Sequence, residues 1–375
     1  KRLSTIIQVK TMFDGVKGMP AKVCLILASF IMAVYAINFI FFADCYTTNG
    51  TAATFEAAES GLVSEGTWIA GDACTRFLTN GAGLEDESFG RGAGVLQLAG
   101  TLMFGLLMGN LLMLNEGAKG KWSLMIPGLI GFVVMLIVMV MGRDELPNDF
   151  PLIATAAGTL LYGAAYYFLK EEGVDEGLTF EIKGLQVKDK VTAVMLFTPA
   201  LIGIIFTINN ILFADGYLGK TGGTPFLPAT EGYYDSEQHA PTSLQVQIIG
   251  SLFIPYILFA VNILRTGAKG KWPIMHVSMF GLGFFALAGL MFVLLPDDDR
   301  WNDDVVTNAQ LLQNAIVSMV VWVLIVGAYI RLREEGAEDG MTIMGKEPEA
   351  DFFLMKMFPA VMVVMAIILA AMRMM

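Results

Sequence analysis

Nine apolar stretches dominate the chain, near residues 21–43, 93–115, 122–141, 151–169, 191–214, 244–264, 272–295, 308–330 and 353–372. Each approaches the about 20 residues that a helix needs to span a bilayer. Polar and charged residues fall between these stretches, so the pattern predicts nine transmembrane helices in an all-α polytopic bundle. Pro151 stands where a helix can begin, because its missing N–H is unused in a first turn.

The same pattern repeats. Ile37-Asn38-Phe39-Ile40-Phe41-Phe42-Ala43-Asp44-Cys45-Tyr46 returns as Ile208-Asn209-Asn210-Ile211-Leu212-Phe213-Ala214-Asp215-Gly216-Tyr217, 171 positions later. Gln97-Leu98-Ala99-Gly100-Thr101 matches Gln247-Ile248-Ile249-Gly250-Ser251, and Gly117-Ala118-Lys119-Gly120-Lys121-Trp122 matches Gly267-Ala268-Lys269-Gly270-Lys271-Trp272, both 150 positions apart. Leu169-Lys170-Glu171-Glu172-Gly173 matches Leu332-Arg333-Glu334-Glu335-Gly336 after 163 positions. A unit of four spans returns the chain to its starting side, so the two copies are parallel. The ninth stretch, with Pro359, resembles the fifth with Pro199 and reads as the first helix of a truncated third copy. The expected divisions are 1–183 and 184–345 for the two repeats and 346–375 for the last helix.

Composition agrees with a membrane setting. The chain is 55% hydrophobic and 16% charged, with mean hydropathy +0.62, against about 25% charged in soluble domains. A net charge of −11 argues against nucleic acid as a partner, because phosphate selects basic surfaces. Charge also sets a direction. With the N-terminus inside, 18 of the 24 Lys and Arg lie on the inner segments; Arg76, Arg91, Arg143, Lys220, Arg300 and Arg373 are the others. This is the positive-inside pattern, and it puts the C-terminus on the opposite face. The outer loops carry acidic runs such as Asp297-Asp298-Asp299, which read first as solvated surface. Residues 1–20 read as a surface amphipathic helix or a basic tail. The chain opens on Lys1 rather than Met, as when a targeting segment has been removed or the chain is a piece of a longer one.

Candidate chemistry is sparse. The polar residues inside spans are Asn38 and Asn209, Gln97 and Gln247, Asn110, Asn115, Asn262, Gln310, Gln313, Asn314 and His276. They serve either as hydrogen bonds between helices or as ligands to a cofactor such as the magnesium of a chlorophyll. Asn38, Asn209, Gln97, Gln247, Asn110 and His276 form the candidate cofactor-binding set, with chlorophyll or carotenoid as the candidate cofactors. Gly105 and Gly109 form a G-x-x-x-G pair suited to close helix packing. Trp122 and Trp272 stand at matched span starts, where aromatic residues anchor to the interface. Cys45 and Cys74 share an outer loop and form a disulfide if that compartment oxidises. No P-loop, C-x-x-C, H-E-x-x-H or light-harvesting antenna pattern is present. His239 and His276 fall on opposite sides of the membrane.

Three functions follow as expectations. The first is a non-catalytic membrane subunit that scaffolds or links parts of a large energy-transducing assembly. The expected example is a photosystem with its antenna in a thylakoid membrane; the mitochondrial inner membrane and the plasma membrane are the other settings. Its partners are lipid, pigment and other membrane subunits. The second is a channel or carrier running between the two repeats. The third is a lipid-acting enzyme with Asp44, Asp215 or Glu116 as its interfacial base.

Overall fold

The computed structural model describes residue 13 and residues 15–41, 43, 93–118, 122, 125–146, 149–173, 184–219, 221, 224–226, 242–268, 272–294, 308–337 and 360–370. No strand occurs among the described residues. Nine apolar helices follow one another within them: α1 (Met19–Phe41), α2 (Ala93–Glu116), α3 (Met125–Met141), α4 (Phe150–Phe168), α5 (Lys190–Leu212), α6 (Ser243–Thr266), α7 (Trp272–Leu294), α8 (Asn308–Ala337) and α9 (Ala360–Ala370). A helix is the element that lets such apolar segments satisfy their own backbone in lipid.

Among the described residues, five helices are long and apolar enough to cross a membrane: α1, Gly94–Asn115 of α2, α5, α6 and Leu312–Leu332 of α8. The described parts of three other expected spans are shorter, and α4 is less apolar. The apolar run of α3 covers Met125–Met141, that of α7 Met275–Met291 and that of α9 Ala360–Ala370. At 19 residues α4 is long enough, but Ala, Gly, Thr and Tyr dilute its apolar character.

Local chemistry fixes several helix ends. Thr242 and Gln245 close a reciprocal capping box on α6, which satisfies two otherwise orphaned backbone donors. Asp189 caps α5 by accepting from the Val191 N–H at 3.1 Å. Gly117 and Gly267 end α2 and α6 at φ values of 94° and 81°, a region glycine enters without a Cβ penalty. Glu172 caps α1: its Oε1 accepts from the Gly18 N–H at 2.6 Å and from the Lys17 N–H at 3.1 Å. A carboxylate is favoured there because it faces the positive end of the helix dipole.

Packing pairs the helices in a crossed way. In the first half α1 packs against α2 and α4, and α3 against α4; in the second half α5 packs against α6 and α8, and α7 against α8. Of the two second helices, the third helix of each half packs chiefly on that of the other half. Thus α7 packs against α2 and α3 against α6, while α2 and α6 also touch. In a lipid setting the hydrophobic drive between helices is weak, and close backbone approach carries their association.

Positions separated by the sequence offsets meet in equivalent ways. A Cβ placed on Gly100 would stand 2.8 Å from the Phe39 Cβ, and one on Gly250 would stand 2.9 Å from the Asn210 Cβ. At the crossings between halves, a Cβ on Gly105 would stand 2.5 Å from the Gly281 Cα. The ring of Pro255 fills the matching place at Gly131. The straps before α1 and α5 bond alike, Gly15 N–H to the Leu114 carbonyl and Gln186 N–H to the Leu264 carbonyl, each at 2.9 Å. Val16 and Val187 are buried on those straps.

Two expectations change here. Trp122 is no interfacial anchor: it is buried, stacks on Tyr166 with ring centroids 4.6 Å apart, and donates from Nε1 to the Tyr166 carbonyl at 2.8 Å. The indole has a buried hydrogen-bond partner on α4, which removes its reason to seek the interface. The segment before α1 is a strap rather than a helix over residues 16–18; residues 1–12 lie outside the described residues.

One ion pair ties the N-terminus of α5 to the last turns of α8. Arg331 Nε donates to Asp189 Oδ2 at 2.6 Å, and the Thr192 hydroxyl donates to the same oxygen at 2.6 Å. The Arg331 hydrogen bond, reinforced by Thr192, holds the Asp189 carboxyl well below the usual carboxylate range. A depressed acid stabilises the fold above its unfolded pKa of about 3.9 and loses that effect as pH falls through the folded value. Melting of the protein and of Asp189→Asn should therefore differ by a constant amount from about pH 8 to pH 5, and the difference should close only below about pH 4.

Candidate functional site

Two grooves open on the flanks of the bundle. One, of about 130 Å3, is lined by α1–α4 together with the start of α6. The other, of about 170 Å3, is lined by α5–α8 together with the start of α2. The two are built from matched positions. Ala28, Ile31, Met32, Tyr35 and Phe39 line the first, and Pro199, Ile202, Gly203, Phe206 and Asn210, each 171 positions later, line the second. Phe132 and Met135 on α3 are answered by Leu282 and Phe285 on α7. Each groove borrows a wall from the other half, Ile248 in the first and Leu98 in the second. Crossed packing therefore makes the grooves.

Both linings are mostly apolar and carry a few polar groups. Small-molecule sites in general are mostly apolar with a few placed polar groups. In the first groove the polar groups include Tyr35, Thr155, Thr159, Thr242, Gln245 and Glu145. The Thr159 hydroxyl donates to the Thr155 carbonyl at 2.7 Å, and Glu145 Oε2 accepts from the Leu244 N–H at 2.9 Å. In the second groove they include Asn210, Tyr217, Asn314 and Ser318, and the Ser318 hydroxyl donates to the Asn314 carbonyl at 2.8 Å.

None of the six candidate cofactor ligands lines either groove. His276 is buried, and its Nε2 is engaged by the Tyr329 hydroxyl at 2.8 Å. Gln247 Nε2 donates to the Ile211 carbonyl at 3.2 Å and so ties α6 to α5. Gln97 is half-buried on α2. Asn110 is buried with its Nδ2 4.0 Å from the Met32 sulfur. Gln247 and His276 thus bond between helices, as the packing reading of these residues expects. Cys45, Cys74, Asp44 and His239 lie outside the described residues, as does the side chain of Glu116. Asp215 accepts a hydrogen bond from the Ser243 hydroxyl. Among the described residues no group of three or more His, Cys, Asp and Glu is gathered to hold a metal.

Asn38 and Asn209 stand apart. They are 1% and 0% exposed, and neither amide has a hydrogen-bond partner among the described residues. An unpaired buried amide costs about 1–3 kcal/mol. If nothing outside the described residues bonds them, Asn38→Leu combined with Asn209→Leu should leave the melting temperature unchanged or raised. A clear fall in detergent-solubilised protein would reveal a partner or ligand on these amides.

The residues that sequence reasoning missed are the groove walls. Ordinary Ile, Met and Phe carry no motif, and only Asn210 gave a signal, as an amide where the matched position holds Phe39.

The fold and the grooves define an all-helical bundle compatible with an integral membrane protein. No protein-family model, no curated protein and no solved structure matches the chain.

Proposed function

We propose that this chain is a non-catalytic integral membrane subunit that holds one long apolar ligand in each of two equivalent grooves. The observation that carries the reading is the pair of grooves lined by matched positions 171 and 150 apart. Equivalent walls recur when both sites keep one use. Interior polar groups such as Gln247, Tyr256 and His276 bond between helices.

The architecture proposed with it is two parallel four-helix repeats, 1–183 and 184–345, followed by a ninth helix in 346–375. Its support is the crossed pairing of α2 with α7 and of α6 with α3, and the equivalent straps at Leu114 and Leu264. The ninth helix fits as a docking element: Leu369 of α9 is buried with Ala288 of α7 and Ile40 of α1. The N-terminus lies on the positive side of the membrane and the C-terminus opposite. Service in a large energy-transducing assembly, with a photosystem as the example, remains the proposal drawn from the sequence. It draws nothing from the grooves beyond their capacity for an apolar molecule, pigment included.

A photoreactive diazirine fatty acid tests the ligand reading on the full chain in detergent or nanodiscs. Labelling should concentrate at residues 31–35 and 202–206. Tyr35→Trp and Gly203→Leu, which add bulk in the first and second groove respectively, should each cut labelling of their own groove about tenfold. Labelling spread evenly over the lipid-facing surface, unaffected by either substitution, would overturn it.

A further inference from the structure

Both grooves start from the same end of the bundle and stop partway along it. That end is the rim, the level where α1, α3, α5 and α7 finish and α4, α6 and α8 begin. Among the described residues, the first groove is lined by nothing on α1 before Ala28 and nothing on α4 beyond Thr159. The matched limit on α5 is Pro199 in the second groove, with Ile325 as the limit on α8. Ala28 stands 13 residues before the end of α1 at Phe41, and Pro199 stands 13 before the end of α5 at Leu212. At 1.5 Å per residue, each lies about 20 Å from the rim. A bilayer with its headgroups is about 40–45 Å thick, so this depth is that of one leaflet. It is the leaflet opposite the N-terminus, because α1 and α5 both run toward it.

Polarity is graded along that depth. At the rim of the first groove Glu145 follows α3, Thr242 caps α6 and Gln245 lies in the first turn of α6. Glu145 is exposed, and its Oε2 accepts from the N–H of Leu244, itself a lining residue. That bond holds the carboxylate at the groove and uses one of its about four acceptor positions. Asn314 is exposed at the rim of the second groove. Deeper hydroxyls are spent within the chain, Thr159 on the Thr155 carbonyl and Tyr256 on the Leu102 carbonyl. Ala28, Met103 and Phe132 make the inner end of the first groove, and Pro199, Ile257 and Ala260 that of the second.

Resting on the ligand reading above, we infer that each groove takes an amphiphile from the leaflet opposite the N-terminus, tail inward and head at the rim. In the first groove Glu145 accepts a hydrogen bond from a hydroxyl of that head. The tail covers the apolar wall, and the head stays where headgroups and water meet the bundle. A head with no donor leaves its place at Glu145 to water. The bond to a carboxylate therefore sets a preference of about tenfold rather than a requirement.

Monoacylglycerol probes test this on the full chain in nanodiscs. With the diazirine at the tail end, labelling should fall on residues 28–32 and 199–203. With the diazirine beside the head, it should fall on residues 151–155 and 314–318. The reverse order, or the same residues from both probes, overturns the orientation. The methyl ester of the same diazirine fatty acid has no donor and should label the first groove about tenfold less than the monoacylglycerol does. Glu145→Leu should bring the monoacylglycerol down to the ester's level there and leave the second groove unchanged. The Thr242–Gln245 capping box still closes α6 in that variant. Equal labelling of the first groove by monoacylglycerol and ester on the unaltered protein overturns the role of Glu145, as does a preference that survives Glu145→Leu. The comparison on the unaltered protein decides the matter even if the substitution disturbs folding. Failure of every probe to label either groove overturns the ligand reading itself.

Discussion

Trp122→Ala should lower the stability of the solubilised protein by about 4 kcal/mol, the usual cost of removing a buried large aromatic side chain. Three interactions go at once. The indole lies flat on Tyr166, at an interplanar angle of 1°, its Nε1 bonds the Tyr166 carbonyl, and its ring fills the space beside Gly173. Together they hold the linker between α2 and α3 against the end of α4. Trp122→Phe should recover part of the loss, because it restores stacking without the hydrogen bond. The measurement is thermal melting followed by intrinsic fluorescence or light scattering. Unchanged melting for Trp122→Ala would place the indole outside the core and return it to the interface.

Gly105→Ala should cost about 3 kcal/mol, at the upper end for a small overpacking change. A Cβ there meets the backbone of α7 at Gly281 and the Tyr256 hydroxyl, which itself donates to the Leu102 carbonyl at 2.5 Å. Neither neighbour can swing aside cheaply, since one is main chain and the other is a buried, bonded phenol. Gly163→Ala is the matched control: its Cβ meets only the Leu129 Cδ1 at 3.6 Å, ordinary contact, and it should be near neutral. Equal melting of the two variants would mean that α2 and α7 do not cross at Gly105, and the crossed packing would fall with it.

Much of the helical frame is legible in the sequence, because a helix in lipid announces itself by an unbroken apolar run. The helices start and stop within a few residues of the expected stretches where both ends are described, as in α5 and α6. The crossing of α3 and α7 into the opposite halves is not legible. Gly-Ala-Lys-Gly-Lys-Trp says that a linker is there, but partner choice depends on which glycine faces which, and Gly131 with Pro255 has no signature apart from the fold. Trp122 was misread for a related reason: a tryptophan beside lysines looks interfacial until Tyr166 supplies its partner.

The candidate site was the least legible part. Polarity inside a span points to interior residues such as His276 and Gln247, and these prove to bond neighbouring helices. A groove for an apolar molecule is built from residues that are unremarkable singly. The repeat is the better guide, but through its exceptions. Positions kept in both copies, Asn38 with Asn209, are sealed between helices, whereas the departure at Asn210 against Phe39 lies in the groove wall.

The most direct test is a density map of the full chain purified in a mild detergent or nanodisc. The account predicts elongated density in both grooves, running past Ile31 and Tyr35 in one and past Ile202 and Phe206 in the other, with α7 on α2 and α3 on α6. Grooves closed by their own side chains, or density in neither, would contradict it.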